Sequence, residues 1–333
     1  MFNKAAPGIG LEIGDKTIKI ARLRKTREGF ALADYGSIPT PPGAVEAGFV
    51  NDPARLGEFL GQLVRDLGLR NKSVVSAVAG PQVYTRSLIM PRMKPEEQRA
   101  AIRYEATTFL PIPVDEASID ISPLTFFEDG EGKKVDLFFV AVRKQQVANL
   151  GLACKIAGLK LAAVEIEPLA LHRLLKHDDS RVQAFVNIGS SRSTFSVFDG
   201  EALKLYRHMS FGFCSFIPAE PGENEEVTRI DETEIGVSGD CQYLLRDSIT
   251  ELNRSIEYYH MQNPNEIKTL MLCGGGARVK GLEPVLAEGI KLSVTKADIL
   301  HRIKVPAAIS DSVRQELRHD FAVALGLAAR EAI

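Results

Sequence analysis

The sequence predicts a duplicated α/β fold, two related halves around a nucleotide cleft, with a small α+β insert in the first half. Two observations carry this expectation. Glu12-Ile13-Gly14 and Asn187-Ile188-Gly189 share one form: a polar residue, Ile and Gly, then polar residues and a return strand. They lie 175 positions apart in a chain of 333. An Ala/Leu-rich helix follows each, at 168–175 and 321–329, as two copies of one unit require. The second observation is L-M-L-C-G-G-G-A-R-V-K-G-L at 270–282, an apolar strand running into three glycines and then a helix. Glycine at a turn lets backbone N–H groups approach a phosphate, so two facing hairpins would clamp a phosphate tail. Strand, glycines and helix in succession would let a ring or ribose lie on backbone at a helix N-terminus. The segment matches neither the dinucleotide fingerprint nor the P-loop pattern. Packing alone is not expected to explain three consecutive glycines, since each adds chain entropy to be lost on folding.

The elements follow in order. Residues 11–23 read as two strands around a tight turn, with Ile18, Ile20 and Leu23 apolar and Lys19 and Arg22 between. Residues 30–38 continue as strand until Pro39, Pro41 and Pro42. Asp52 caps a helix with Pro53 at its first position. Leu56, Phe59, Leu60, Leu63, Val64 and Leu67 recur at helical spacing until Gly68. Residues 73–79 form a short apolar strand. A helix at 96–110 follows Pro91 and Pro95, then strands at 118–127 and 135–142 joined by Asp129-Gly130-Glu131-Gly132, which is hairpin chemistry. A helix at 144–157 ends at Gly158, and the module is expected to span about 87–158. A strand at 161–166 and a helix at 168–176 close the first half. The second opens with a hairpin from Val182 that turns at Asp199-Gly200. It continues through a polar loop at 218–231, a long helix at 240–261, a strand at 269–273 and a helix at 279–288. The expected division is 8–181, 182–318 and a last segment, 319–333, returning as a helix to the first half.

Composition excludes several classes. Lys+Arg 41 against Asp+Glu 43 leaves a net charge of −2, unlike the cationic surface of a nucleic-acid binder. Apolar residues make up 45% of the chain, enough for sizeable cores. Cys154, Cys214, Cys241 and Cys273 have no C-x-x-C spacing, so zinc or redox motifs are not expected, and scattered cysteines fit a reducing cytoplasm. The six histidines show no metal-ligand spacing. No stretch approaches ~18 uninterrupted apolar residues. Residues 1–7 lack the apolar core of a signal peptide, so membrane association is expected only through partners.

The two hairpins and the triple glycine, in this order, resemble the phosphate-1, phosphate-2 and adenosine motifs of the actin/sugar-kinase/Hsp70 superfamily. The resemblance narrows through K-P-E-E-Q-R-A-A-I-R-Y-E-A-T-T-F-L-P-I-P-V-D-E-A-S-I-D, V-D-L-F-F-V-A-V-R-K, G-L-K-L-A-A-V-E-I-E-P-L-A-L and F-A-V-A-L-G-L-A-A-R. These are similar to the PilM family of type IV pilus assembly proteins, over nearly the whole chain. The first of them, in the insert, is the specific one.

The resemblance implies an actin-like (ribonuclease H-like) fold binding ATP or ADP with Mg²⁺. The nucleotide-binding residues it implies are Gly14, Asp15, Lys16, Thr17 and Lys19 in the first hairpin and Asn187, Gly189, Ser190, Ser191 and Ser193 in the second. Gly274, Gly275, Gly276, Ala277 and Lys280 would serve the nucleoside, with Glu251 and Arg254 on the long helix. Glu251 and Arg254 read equally as a surface i,i+3 pair, and Lys16 and Lys19 equally as solvated hairpin charge. The superfamily usually has Asp where this chain has Glu12, and commonly Asp at Asn187. Glu12 could still hold a Mg²⁺-bound water, but Asn187 cannot act as a base. The expectation is nucleotide binding with weak or absent hydrolysis.

Two functions are weighed. In one, the resemblance implies a cytoplasmic adaptor, peripheral on the inner membrane, that binds the N-terminal cytoplasmic tail of PilN beside the insert. It would join the PilN/PilO subcomplex and the pilus motor ATPases, with the nucleotide setting the angle between halves. The alternative is an ATPase or phosphotransferase of the same fold, for which the sequence offers no convincing general base. An actin-like cell-division filament fits less well, because the segment 321–329 is apolar nearly all round rather than amphipathic.

Overall fold

The computed structural model describes residues 8–176, 181–216 and 239–331; the N-terminal reading at 1–7 and the polar loop expected at 218–231 lie outside them. The first half runs β1 (Gly8–Ile13), β2 (Thr17–Thr26), β3 (Gly29–Pro39), β4 (Val45–Glu46), β5 (Phe49–Val50), α1 (Pro53–Asp66) and β6 (Ser73–Val78). The inserted module follows: β7 (Tyr84–Pro91), α2 (Pro95–Phe109), β8 (Ala117–Asp129) and β9 (Gly132–Arg143). Then come α3 (Lys144–Ile156), β10 (Lys160–Ile166) and α4 (Glu167–Leu175). The second half holds β11 (Val182–Ile188), β12 (Ser193–Asp199), β13 (Ala202–Met209), α5 (Gly239–Gln262), β14 (Thr269–Cys273), α6 (Leu282–Ile290) and β15 (Ser293–Lys296). The chain closes with β16 (Ile303–Lys304), α7 (Asp311–His319) and α8 (Ala322–Glu331). Among the described residues no helix is long and apolar enough to cross a membrane.

The duplication is visible in strand order. The first sheet runs β10-β6-β1-β2-β3-β16 and the second β13-β12-β11-β14-β15. In each, three antiparallel strands continue into two parallel ones, so β3-β2-β1-β6-β10 and β13-β12-β11-β14-β15 are the same arrangement. Asp52 caps α1 by accepting from Arg55 N–H at 3.0 Å, with Pro53 at the first position.

Helix α8 packs on the first sheet. Phe321, Ala322 and Val323 are buried, and Ala324, Leu325, Leu327 and Ala328 are fully buried. Its backbone lies directly on β1, because a Cβ on Gly10 would come within 1.9 Å of Ala324 O and one on Gly8 within 2.2 Å of Ala328 O. Gly326 meets α4 as closely, since a Cβ there would lie 2.2 Å from Ala170 O. The last segment therefore packs into the first half, on the strand that carries the first hairpin.

The module is a three-stranded antiparallel sheet, β7-β9-β8, under α2. Its own core holds Leu88, Ile102, Ala106, Val135, Leu137 and Phe139. The helix expected to end the module, α3, packs elsewhere. A Cβ on Gly57 of α1 would lie 2.8 Å from Ala153 O, so the two helices are in backbone contact, and Leu150, Ala153 and Cys154 belong to the main core. The near edge also differs from about 87, since β7 begins at Tyr84 and pairs with β9 along its length. The helix expected from 279 starts at Leu282. Gly275–Arg278 form a 3₁₀ turn, and Gly281, at φ +81°, sits in the left-handed region that interrupts a helix.

Candidate functional site

Both glycine hairpins close in the same way. Gly14 N–H donates to Thr17 O at 3.0 Å and Gly189 N–H to Arg192 O at 2.9 Å. Ile13 pairs with Ile18, and Ile188 with Ser193, so the 175-residue offset holds through the turns. Both turns leave little room for a side chain: a Cβ would meet Thr17 O at 3.0 Å at position 14, a tight contact, and Arg192 O at 2.8 Å at position 189, a clash. The first tip is braced by Thr40, whose Oγ1 donates to Gly14 O at 2.7 Å and whose N–H donates to Lys16 O at 2.9 Å. The second is braced by Phe213 N–H on Gly189 O and Cys214 N–H on Ser190 O. Asp15, Lys16, Ser191 and Arg192 from the two tips share a cavity of about 520 Å³ with Thr40 and Ala47.

Beneath the tips lies a floor of partly buried polar groups. Glu12 and Lys19 are cross-strand partners, with Nζ 3.4 Å from Oε1. Glu12 Oε2 is buried and has no hydrogen-bond partner among the described residues. Burial, with a smaller push from Asp320, raises the Glu12 carboxyl above its ordinary value, against the pull of Lys19 and of the Ala324 backbone N–H at the start of α8. Glu167, the first residue of α4, faces it. Burial, reinforced by the charge of Glu12, pushes Glu167 up to about 7, while Arg192 and a 3.4 Å hydrogen bond from Thr194 act the other way. Burial also holds His208 down at about 4, helped by Arg192, and raises Tyr206. Glu167 is not among the residues expected at the site. Its signal in the sequence is an acid set between an apolar strand and a helix-starting proline, Glu167-Pro168. No group of three or more His, Cys, Asp or Glu able to hold a metal ion occurs among the described residues.

The triple glycine sits against the end of β11. Gly274 has φ +79°, and a Cβ there would lie 2.5 Å from Asn187 Oδ1 and 2.6 Å from Ile188 O. A Cβ on Gly276 would lie 2.2 Å from Ile188 Cγ2. Packing therefore accounts for two of the three glycines, contrary to the expectation from sequence, and it brings Asn187 against this turn. Gly275 and Ala277 are buried in the same turn, and Lys280 is exposed just beyond it. Arg278 pairs with Asp320, tying the turn to the segment that returns to the first half.

The remaining expected residues divide. Lys16 and Ser191 are exposed at the cavity, while Thr17 opens β2 and Ser190 holds Cys214 through its carbonyl. Lys19 is turned onto Glu12 rather than into solvent. Ser193 is withdrawn: it is buried, and its hydroxyl donates to Phe211 O at 2.7 Å, so that hydroxyl is not turned to a phosphate. Glu251 accepts from Ser210 N–H at 3.3 Å and Oγ at 3.2 Å, and Arg254 is exposed one turn on. Asp15 carries a bidentate ion pair with Arg192 of the opposite hairpin.

A second surface lies at the module. Strand β9 is apolar on both faces, with Leu137 and Phe139 under α2 and Phe138 and Val142 in the main core. Asp136, on the Phe138 face, meets Lys204 of the second half at 3.2 Å. The same face continues outward through Ile89, 64% exposed, and Phe127, 36% exposed.

A solved structure described as a PilM-PilN type IV pilus biogenesis complex matches with a TM-score of 0.84 at 26% identity, covering 99% of each chain. The ethanolamine utilization protein EutJ from Carboxydothermus hydrogenoformans matches with a TM-score of 0.55 at 14% identity, over 98% of this chain and 91% of that one. The fold is actin-like, two copies of one α/β arrangement with an insert in the first. A family model described as type IV pilus assembly protein PilM matches residues 10–332, and the chain belongs to that family.

Proposed function

We propose that the chain is a nucleotide-binding adaptor of type IV pilus assembly, holding ATP or ADP with Mg²⁺ between its two hairpins and the cytoplasmic tail of PilN beside its inserted module. The observation that carries the nucleotide reading is the matched pair of glycine turns above a floor with a buried, unpartnered carboxylate oxygen. The residues present fit the group. The amides of Gly14 and Gly189 close their own turns, so phosphate contact falls to the next residues of each tip, with Lys16 supplying charge in the shared cavity. Glu12 Oε2 suits a metal-bound water, and Mg²⁺ ordinarily takes one or two carboxylates with the rest of its shell from phosphate and water. Bound there, the ion would neutralise phosphate charge. The buried turn at Gly275 and Ala277 would carry the nucleoside.

The tail reading rests on the module. An extended apolar peptide could lie across the exposed face of the β7-β9-β8 sheet, over Ile89 of β7 and Phe127 of β8, where that face emerges from the seam at Phe138. Through that tail the chain would sit at the cytoplasmic face of the inner membrane, with PilO and the pilus motor ATPases within reach. The test is fluorescence anisotropy of a labelled PilN tail peptide against wild type and the double variant Ile89→Asp/Phe127→Asp. Both side chains are exposed, so the fold should persist while affinity falls about tenfold or more. Unchanged affinity would put the groove elsewhere.

One observation favours a second reading, an ATPase or phosphotransferase. Glu167 gives the cleft a carboxyl poised near 7, the range suited to a general base. Asn187, which cannot take a proton, argues for slow turnover. A phosphate-release assay separates the two: rates near ~1 s⁻¹ or above, within the ordinary enzyme range, would favour the enzyme.

A further inference from the structure

The pair Asp15–Arg192 joins residues 177 apart in sequence and links the two hairpin tips. Arg192 Nη2 lies 2.9 and 2.7 Å from the two Asp15 oxygens, and Nε lies 3.1 Å from Oδ2. The side chains are 26% and 16% exposed. Asp15 Oδ1 also accepts from Gly48 N–H at 3.0 Å. The carboxylate thus occupies an anion position built from one guanidinium and one backbone amide, with Lys16 in the same cavity. A guanidinium binds carboxylate and phosphate oxygens with the same two-pronged geometry.

Neither charge is needed to form a hairpin. By the 175-residue offset Arg192 stands where the first copy has Thr17, and Asp15 where the second has Ser190. Both turns close through backbone alone. The guanidinium also acts on Glu167, Tyr206 and His208, which places its charge over the cleft floor. We infer that Arg192 is a phosphate ligand held in reserve by Asp15: the carboxylate and a polyphosphate compete for the same guanidinium, and a bound polyphosphate takes Arg192 from Asp15. This rests on the nucleotide reading above. It makes Asp15 a built-in competitor that lowers apparent affinity by the fraction of molecules in which Arg192 is engaged. It also couples phosphate binding to the contact between halves.

The experiment titrates Mg-ATP, and separately inorganic tripolyphosphate, into wild type, Asp15→Asn, Arg192→Gln and the double variant by calorimetry. Asn keeps an acceptor for Gly48 N–H and removes the charge. Asp15→Asn should bind both ligands about tenfold tighter than wild type and Arg192→Gln about tenfold weaker. The double variant should be no better than Arg192→Gln. Unfolding of the same four chains without ligand should show coupling between positions 15 and 192 that saturating Mg-ATP removes. If Arg192→Gln fails to fold, Arg192→Lys takes its place, keeping the charge without the bidentate fork. Wild-type binding with Asp15→Asn unchanged would make the pair a fixed strut and overturn this inference alone. Tripolyphosphate binding without ATP binding would support the phosphate site and sink the nucleotide reading. No binding of either ligand to any chain would overturn both.

Discussion

Replacing His172 by Phe should remove much of the acid sensitivity of the seam between halves. His172, on α4, stacks on Phe198 of β12 with ring centroids 3.9 Å apart and planes 6° apart, and also leans on Phe185. Burial drives its imidazole from 6.5 down to about 4; Glu201 and the Gly200 backbone pull it up, Lys176 and Arg173 push it down. The unfolded chain therefore binds a proton that the folded chain refuses. Stability from this group is complete above the unfolded value and falls as pH drops from 6.5 toward about 4. With those two values, the loss between pH 8 and pH 5 is ~2 kcal/mol. Phe preserves the stack and has no proton to take. Urea unfolding of wild type and His172→Phe at the two pH values is the assay. Titration of His208 and of the carboxylates remote from His172 is common to both chains and cancels. The variant should lose ~2 kcal/mol less than wild type on acidification. Identical pH dependence would refute the argument that His172 is buried neutral.

Two further outcomes follow from the same physics. Gly10→Ala places a methyl 1.9 Å from Ala324 O, so α8 must move off β1, and stability should fall by ~3 kcal/mol in thermal unfolding. On the alternative, enzymatic reading, phosphate release should rise as pH passes through about 7, where Glu167 loses its proton, and Glu167→Gln should lower it ~100-fold; on the adaptor reading, release stays slow in both chains at every pH.

The duplication was legible because glycine turns are written in single residues. Glu12-Ile13-Gly14 and Asn187-Ile188-Gly189 fix both hairpins, and the turn bonds fall at the same offset. The Asp52-Pro53 cap and the Asp129–Gly132 turn are equally local. What depends on tertiary contact is hidden. Helix α3 adjoins the module in sequence but packs on α1 through Gly57, which periodicity does not reveal. Strand β13 and helix α7 carry mixed polar and apolar residues, so neither stands out in the sequence. At the site, Arg192 reads as one more polar turn residue until Asp15 is found across the cleft, and Glu167 as an ordinary helix-start acid until Glu12 faces it. The Gly274 and Gly276 positions reverse an expectation, because their tight neighbour is β11, far back in the chain.

The claim that a nucleotide sits between the hairpins is tested most directly by calorimetric titration of the full chain with Mg-ATP and Mg-ADP, wild type beside Gly275→Val. Gly275 is buried in the turn that would carry the nucleoside, and a branched side chain there intrudes on that surface. One nucleotide should bind per wild-type chain, and the variant, with its circular dichroism retained, should bind about tenfold more weakly or worse, a change of ~1.4 kcal/mol. Equal affinity in the two proteins would contradict the site, and absence of binding to the wild type would contradict the nucleotide reading itself.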